Sequence, residues 1–370
     1  MLEATVPYHP QSLARFIGGD VEQACSSATA RQLAVAAWQR AEMLAGVSMT
    51  GDVPTCPVGL GCTAALATDR QRHGSDRVFV AVHSREQTVC LAVDWGISAF
   101  DADRPSPRQQ QEVWTSQLIL AALIKAGVPV ERFLAERLPP AAAIAESTSA
   151  KLTERMSQPS VDLRRLVDGQ LVALYGHVDQ EVPTPCQRGE SLGEAKLLIF
   201  PGSFNPLHDG HRQMIRLAEQ HFAKPVHLEL SITNADKPAL DYITIDERLA
   251  QLRDSGQPWL LTREARFDEK AVLFPAATFI VGADTAIRIG DPRFYQGGVA
   301  GREAALQRLA DNGCRFFVFG RQTNNGFQAA DQLPLPATLA QLCIPETSFR
   351  NDISSTSLRA KRGQDSFSAG

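Results

Sequence analysis

The sequence predicts an α/β protein of two domains, and three observations support this prediction. The chain has 370 residues, which is more than one domain usually contains. Apolar runs of strand length alternate with segments of helical periodicity through most of it. In the C-terminal half the alternation is regular, and repeated strand–helix–strand units form a parallel, doubly wound, Rossmann-like sheet.

Changes in apolar periodicity, together with prolines and glycines, indicate the domain limits. Residues 1–150 are predicted to form the smaller α/β domain, and residues 195–362 the Rossmann-like domain. Prolines and glycines interrupt the periodicity of residues 151–194, which we interpret as a connector with a little sheet of its own. The polar tail, residues 363–370, is expected to be disordered.

Apolar periodicity and cap residues indicate the individual elements. In the first domain, helices are predicted from residues 26–29 to about Ala45 and over 109–126, with strands at 59–65, 77–83 and 88–94. A short strand is predicted in the connector at 171–175. In the second domain the predicted strands are 196–200, 226–231, 259–262, 278–281 and 316–319.

The composition is that of an ordinary soluble globular protein, and we expect a cytoplasmic one. The net charge of −4 and the pI near 6.1 give no general attraction to nucleic acid or to an anionic membrane. The most apolar helical stretch, Leu118–Val130, is interrupted by Lys125 and Gly127, so no membrane-spanning segment is predicted. Seven cysteines without a CxxC pair favour reduced thiols over disulfides or a zinc site.

The most informative stretch is IFPGSFNPLHDGH at residues 199–211. An apolar run reaches a Pro-Gly turn, and two histidines three residues apart then stand where a helical pattern begins. The free backbone N–H groups and the positive dipole end of a helix start bind anions. The candidate binding residues here are Gly202, Ser203, Phe204, Asn205, His208, Gly210 and His211.

A second stretch, ISSTSLR at residues 353–359, has matching chemistry. Three hydroxyls open a short helical pattern that also carries an arginine, which can bind phosphate oxygens as a fork. The candidate residues are Ser354, Ser355, Thr356 and Arg359. Together the two stretches have the groups needed to hold a triphosphate.

These residue types suit the transfer of a nucleotidyl group, which needs positioning and charge stabilisation more than covalent help. His211 is expected to contact the reacting phosphate and His208 to brace the nucleotide, while Gly210 lets the backbone approach closely. The hydroxyls of residues 354–356 would donate to β- and γ-phosphate oxygens, with Arg359 reaching the same oxygens. ATP would carry Mg²⁺ as its cofactor.

Each feature also has a simpler explanation. Two histidines at a helix start are most often caps or surface residues, and residues 354–356 alone would read as an N-cap. Lys237 could be an exposed loop lysine, and Asp284 could be another N-cap. Arg248 might reach the substrate, but a solvated helix face is the preferred interpretation. The long string around the histidines favours the functional interpretation.

GSFNPLHDGH together with ISSTSLR resembles the HxGH nucleotidylyltransferase superfamily. Its members include nicotinamide or nicotinate mononucleotide adenylyltransferase, pantetheine-phosphate adenylyltransferase and cytidylyltransferases. The resemblance implies that His208, His211 and the late Ser/Thr-Arg motif bind ATP with Mg²⁺. It also implies a phosphate-side lysine, here Lys237, and a GxD element that contacts the acceptor, here Gly282 and Asp284. Phe294 and Tyr295 stand where mononucleotide members often have a tryptophan.

The first domain resembles the nicotinamide mononucleotide deamidase family, or CinA C-terminal domain. Residues 61–65, GCTAA, resemble the loop that follows a central strand in that family, and residues 100–108 resemble its FxGDRxxxR segment. The family starts with a strand and an ESCTGG motif that supplies its nucleophilic serine, and this chain, beginning at MLEATVPY, is expected to start beyond that point. Tyr8 stands where the family has a tyrosine, but Ser12 and Leu13 stand in place of the lysine that follows it. Acyl chemistry needs a nucleophile and a base, so we predict an inactive, truncated domain with a structural or oligomerising role.

The functional prediction combines both resemblances. We expect AMP transfer from ATP to a mononucleotide-type phosphate, with nicotinamide or nicotinate mononucleotide as the favoured acceptor in NAD biosynthesis. The alternatives are an adenylyl- or cytidylyltransferase for phosphopantetheine or glycerol phosphate, and a catalytically silent nucleotide sensor. The expected partners are ATP and a small phosphorylated acceptor, without nucleic acid or membrane. A second copy of the chain, in a homo-oligomer, is a further candidate partner.

Overall fold

A computed structural model describes residues 2–47, 56–68, 74–97, 107–129, 141–142, 150–178, 180, 182–187, 196–233, 239–323, 326–328 and 330–347. The chain forms two compact units. The first contains Met1–Arg164 and Asp236–Asp246, and the second contains Arg165–Ala235 and Glu247–Gly370. No helix among the described residues is both long enough and apolar enough to cross a bilayer.

The first unit is built on an antiparallel sheet with helices against it. Its elements are α1 (Pro10–Ile17), α2 (Ser27–Val47), β1 (Gly59–Ala65), β2 (Asp76–His83), β3 (Thr88–Gly96), α3 (Arg108–Lys125), β4 (Lys151–Ser157) and the start of α4 (Val161–Val167). The strands lie in the order β1-β2-β3-β4, each antiparallel to the next. Valines of β2 and β3 pack with Leu118 and Ala122 of α3, while Ala81 packs with Ala30 and Ala34 of α2.

Two glycines of β1 explain how closely α2 approaches the sheet. A Cβ atom at Gly59 would lie 2.0 Å from the carbonyl oxygen of Ala34, and one at Gly61 would lie 2.1 Å from that of Ala30. The strand predicted at residues 59–65 is confirmed as β1, which lies at one edge of this sheet among the described residues. The family loop that residues 61–65 resemble follows a central strand, whereas these residues lie within β1 itself.

The connector predicted at residues 151–194 is divided between the units. Lys151–Ser157 form β4 and pair with β3, and Ala173–Gly176 form β5, which joins the main sheet of the second unit by pairing with β9. Within the described residues, the strands of the connector therefore belong to the sheets of the two units. The prediction missed β4 because it is a mostly exposed strand of charged and polar residues, which leaves no apolar alternation.

Residues 236–246 contribute a buried polar cluster to the first unit. The carboxylate of Asp241 accepts from the backbone N–H of Thr244, 3.0 Å away, and pairs with the buried guanidinium of Arg31 at 3.2 Å. The backbone N–H of Tyr242 donates to Oγ1 of Thr88 at 3.1 Å. These bonds compensate the desolvation of the buried charges.

The second unit has the predicted Rossmann-like architecture. It continues with β6 (Thr184–Cys186), β7 (Leu198–Pro201), α5 (Asp209–Phe222), β8 (Val226–Ser231), α6 (Tyr242–Asp254), β9 (Trp259–Thr262), α7 (Phe267–Leu273), β10 (Thr278–Gly282), α8 (Ala283–Gly290), α9 (Gly298–Asp311), β11 (Arg315–Phe319), β12 (Arg321–Thr323), β13 (Gly326–Gln328), α10 (Ala337–Ala340) and β14 (Cys343–Glu346). The first turns of α6 pack in the first unit.

In the described residues, the main sheet has the order β14-β11-β10-β7-β8-β9-β5-β6. The strands from β14 to β9 run parallel, and β5 and β6 extend this sheet in antiparallel fashion. The strand order reverses at β7, because β8 lies on one side of it and β10 on the other. Ligands of such sheets bind where the order reverses, at the carboxyl ends of the strands.

Candidate active site

The turn from β7 to α5 lies at the carboxyl edge of the parallel sheet. β7 ends at Pro201, and the backbone N–H of Gly202 donates to the carbonyl of Glu229 on β8, 2.9 Å away. Residues 202–208 then lead directly to the start of α5 at Asp209. The predicted histidines therefore stand where the sheet topology places a ligand.

The structure brings the two histidines into direct contact. The rings of His208 and His211 stack with centroids 3.7 Å apart and planes 21° from parallel. The backbone N–H of His208 donates to Nδ1 of His211 at 3.2 Å. Because Nδ1 accepts this bond, a neutral His211 ring carries its proton on Nε2.

Burial keeps both rings neutral at physiological pH. Desolvation, followed by the neighbouring His208, lowers the pKa of His211 to about 3. Desolvation also lowers the pKa of the less buried His208. Two stacked imidazolium ions would repel each other, so a neutral pair is the stable arrangement. Nε2–H of His211 is then a donor suited to a phosphate oxygen.

Two phenylalanines frame His211. The rings of Phe204 and Phe200 meet the His211 ring edge to face, with centroids 5.5 and 5.7 Å away. Phe204 is 2% exposed, and a Cβ at Gly202 would lie 2.8 Å from its ring, so the glycine makes room for it. Phe204 was predicted to bind nucleotide. Its buried ring packs against His211, and a contact with nucleotide stays a prediction.

Helix α6 holds the backbone of the same turn. Nη1 of Arg248 donates to the carbonyl of Phe204 at 3.3 Å, and the backbone N–H of Leu207 donates to Oε1 of Gln251 at 3.1 Å. The interpretation of Arg248 as part of a solvated helix face is therefore wrong. No local signal in the sequence could identify this contact, because it joins residues 44 positions apart.

The other predicted site residues that the structure describes also lie at the carboxyl edge of the sheet. Ser203 is exposed and Asn205 half-buried in the turn, and Gly210 is buried in the first turn of α5. Gly282 ends β10, which pairs with β7, and Asp284 is exposed in the first turn of α8. The carboxyl ends of β7 and β10 thus bring both groups to one edge of the sheet.

Five predicted site residues lie outside the described part of the chain: Lys237, Ser354, Ser355, Thr356 and Arg359. The same applies to residues 98–106, which carry most of the FxGDRxxxR resemblance. Within the described residues, no three His, Cys, Asp or Glu side chains are grouped so that they could hold a metal ion.

Comparison with known proteins identifies this part of the chain. Residues 199–361 match the family described as cytidylyltransferase-like, a range that includes both predicted motifs. A stretch of 61 residues, 16% of the chain, is 41% identical to a phosphopantetheine adenylyltransferase from Limosilactobacillus fermentum (strain NBRC 3956 / LMG 18251). The match covers 32%, or about a third, of that relative's length. Residues 199–361 are therefore a cytidylyltransferase-like domain of the HxGH nucleotidyltransferase superfamily.

Proposed function

We propose that the second unit transfers AMP from ATP to the phosphate of a small acceptor. An oxygen of the acceptor phosphate attacks the α-phosphorus of ATP, the bond to the β-phosphate breaks, and pyrophosphate leaves with the electron pair. The observation that carries the proposal is the neutral, stacked histidine pair at the β7–α5 turn, within a domain that matches a nucleotidyltransferase family.

The chain's own residues act by positioning and by donating hydrogen bonds. Nε2–H of His211 donates to an oxygen of the reacting phosphate, where negative charge grows in the transition state. His208 braces the nucleotide, and the start of α5 offers its free N–H groups to the phosphates. Lys237, Arg359 and the hydroxyls of residues 354–356 complete the triphosphate site in this proposal. Mg²⁺ arrives with ATP and neutralises phosphate charge, as it commonly does with nucleotide substrates.

Pyridine mononucleotides are the first candidate acceptors. The GxD element at residues 282–284, which the resemblance assigns to the acceptor, follows β10, the direct neighbour of β7, and in this proposal it contacts the ribose beside the reacting phosphate. The resemblance of the first unit to a family that handles the same compounds supports the same acceptors.

Phosphopantetheine is the second candidate. The observation that favours it is the 41% identity to a phosphopantetheine adenylyltransferase over 61 residues. Both candidate acceptors react through a terminal phosphate. They differ in the opposite end of the molecule, and therefore in the protein groups that this end must contact.

The proposal is tested by measuring pyrophosphate release from ATP and Mg²⁺ with nicotinate mononucleotide, nicotinamide mononucleotide, phosphopantetheine or glycerol phosphate as acceptor. Release with one acceptor, lost in the His211→Ala protein, would establish the reaction and its substrate. Tight ATP binding with no release from any acceptor would contradict the proposal and favour the nucleotide sensor.

A further inference from the structure

A cleft of about 280 Å³ lies at the same edge of the sheet as the histidine pair, two strands away from it. Its lining residues, all in the second unit, are Gly169, Leu171, Val172, Thr233, Arg263 and Glu264. Arg263 and Glu264 directly follow β9, and Thr233 follows β8 by two residues. Because β7, β8 and β9 are parallel neighbours, their carboxyl ends share one edge.

The floor of the cleft is fixed by hydrogen bonds between its two turns. Oγ of Ser231 donates to the carbonyl of Glu264 at 2.9 Å, and Oγ1 of Thr233 donates to that of Arg263. The backbone N–H of Ile232 donates to the carbonyl of Thr262 at 2.8 Å. The backbone that carries Arg263 is therefore ordered before any ligand binds, which lowers the entropic cost of binding.

Gly169 creates the space in which the guanidinium of Arg263 lies. A Cβ atom at residue 169 would stand 2.1 Å from Nη1 of Arg263, and the φ angle of +77° at Gly169 independently favours glycine. Arg263 is half-buried, and within the described part of the chain its guanidinium makes no hydrogen bond or ion pair. A fork of donors thus lies in a polar cleft without a protein acceptor, the arrangement that recognises a carboxylate or a phosphate.

The charges and the size of the cleft select between these anions. Glu264 also lines it, and its carboxylate makes no ion pair with the described residues. With Arg263 and Glu264 both charged, a bound carboxylate leaves one uncompensated negative charge, which a cationic group of the same ligand can offset, whereas a phosphate dianion leaves two. The volume is at the lower limit for ligand sites, so the cleft accommodates one end of a small molecule. Buried Leu171 and Val172 offer that end an apolar wall.

We propose that the acceptor carries a carboxylate on its non-reacting end and that Arg263 binds this carboxylate. This inference rests on the proposed adenylyl transfer and deepens it. Two strand spacings place the cleft about 10 Å from the β7–α5 turn, so the acceptor must extend over about that distance from its reacting phosphate. Nicotinate mononucleotide has such a carboxylate, and its cationic ring suits the proximity of Glu264. Nicotinamide mononucleotide has a neutral amide instead, and phosphopantetheine ends in a neutral thiol.

The test uses the two pyridine mononucleotides, which differ only in this group, with Arg263→Gln as the variant. Arg253→Gln is the matched control, because Arg253 is an exposed cation of α6 that lies over Trp259. We measure kcat/KM for pyrophosphate release with each acceptor, and the affinity of each acceptor without ATP by calorimetry.

We expect the wild-type protein to prefer the acid. Arg263→Gln should lower both kcat/KM and affinity for nicotinate mononucleotide by about tenfold to a hundredfold, while values for the amide and for Arg253→Gln change less than twofold. Equal losses for both acceptors, or no loss for the acid, would overturn the inference. If no acceptor is turned over but the acid still binds through Arg263, the proposed function fails and the inference stands. Failure of the acid to bind the wild-type protein would overturn the inference.

Discussion

His83 of the first unit is buried and His211 of the second is half-buried; both imidazoles have a lowered pKa, yet their surroundings differ. His83 is 3% exposed, its Nδ1 lies 2.8 Å from Oγ1 of Thr88, and the rings of Trp38 and Tyr242 pack against it. His211 stacks on a second imidazole at the start of a helix, at the carboxyl edge of a parallel sheet.

Desolvation is the main cause of the lowered pKa in both cases, to about 4 for His83 and about 3 for His211. A perturbed pKa therefore does not by itself identify a functional residue. What distinguishes His211 is its place in the topology and the tautomer fixed by the N–H of His208. His83 uses the same neutral state to pack in a core.

The sharpest test of this comparison is to remove each imidazole in turn. His211→Ala should lower kcat/KM for adenylyl transfer about a thousandfold, equivalent to about 4 kcal/mol. Because His211 is only half-buried, its removal should lower the free energy of unfolding less than the removal of His83 does. His83→Ala should retain its activity and lose about 2–3 kcal/mol of unfolding free energy, because it leaves a cavity among aromatic rings. Initial rates and urea denaturation measure the two effects. Equal losses of activity would refute the division of roles.

The second unit also contains a buried ion pair, which tests whether a buried charge there stabilises the fold. In the second unit, Nζ of Lys270 pairs with the buried carboxylate of Glu229, which also accepts from Oγ1 of Thr262. Lys270→Met should lower the free energy of unfolding by about 3–4 kcal/mol, because it leaves Glu229 buried without its cation. Adding Glu229→Gln should recover most of this loss in urea denaturation. A loss below about 1 kcal/mol for the single variant would show that Glu229 is already neutral or solvated.

The pH dependence of stability sharpens the comparison further. Both folded pKa values lie below the ordinary value of 6.5, so the unfolded chain takes up protons first as the pH falls. The free energy of unfolding should be constant above about pH 6.5 and should decrease from there toward pH 4 and below. For His83 alone the decrease between pH 7 and 4.5 is about 2–3 kcal/mol.

His83→Gln is the variant that isolates this contribution, since glutamine does not titrate. Its free energy of unfolding should fall less steeply with decreasing pH than that of the wild-type protein. Parallel pH profiles of the two proteins would contradict the lowered pKa of His83.

The smallest effect concerns the support of the active-site turn. Arg248→Gln removes the charged donor to the carbonyl of Phe204 and should lower kcat/KM about tenfold, or about 1.4 kcal/mol. Arg253→Gln on the same helix is the control and should change it less than twofold. Similar values for the two variants would show that α6 acts on the turn without Arg248.

The parallel sheet was predictable because its strands are short apolar runs between helical segments. The strands at 226–231 and 259–262 were predicted with their observed limits. The strand β14 was missed because its CIPE sequence shows no clear apolar alternation and contains a proline. Strand β4 was missed because its side chains are charged and exposed.

The histidine pair was predictable because its residues lie within one turn of helix. The contacts that support the pair could not be predicted. The ring of Phe204 packs over Gly202 of the same turn, and Gln251 and Arg248 come from α6, 44 positions later in the chain. Arg263 and Gly169 are separated by 94 positions and meet only in the folded unit.

The assignment of residues 236–246 to the first unit has a consequence for attempts to dissect the protein. A fragment cut at the boundary of the family match would keep Tyr242 and Ile243, which are 1% and 2% exposed, and lose Thr88 and Arg31. Such a fragment would expose the apolar side chains of Tyr242 and Ile243 and the unpaired carboxylate of Asp241 to solvent, and it would be prone to aggregate. Recombination or gene fission that preserves both units must therefore move two separate stretches of the coding sequence together.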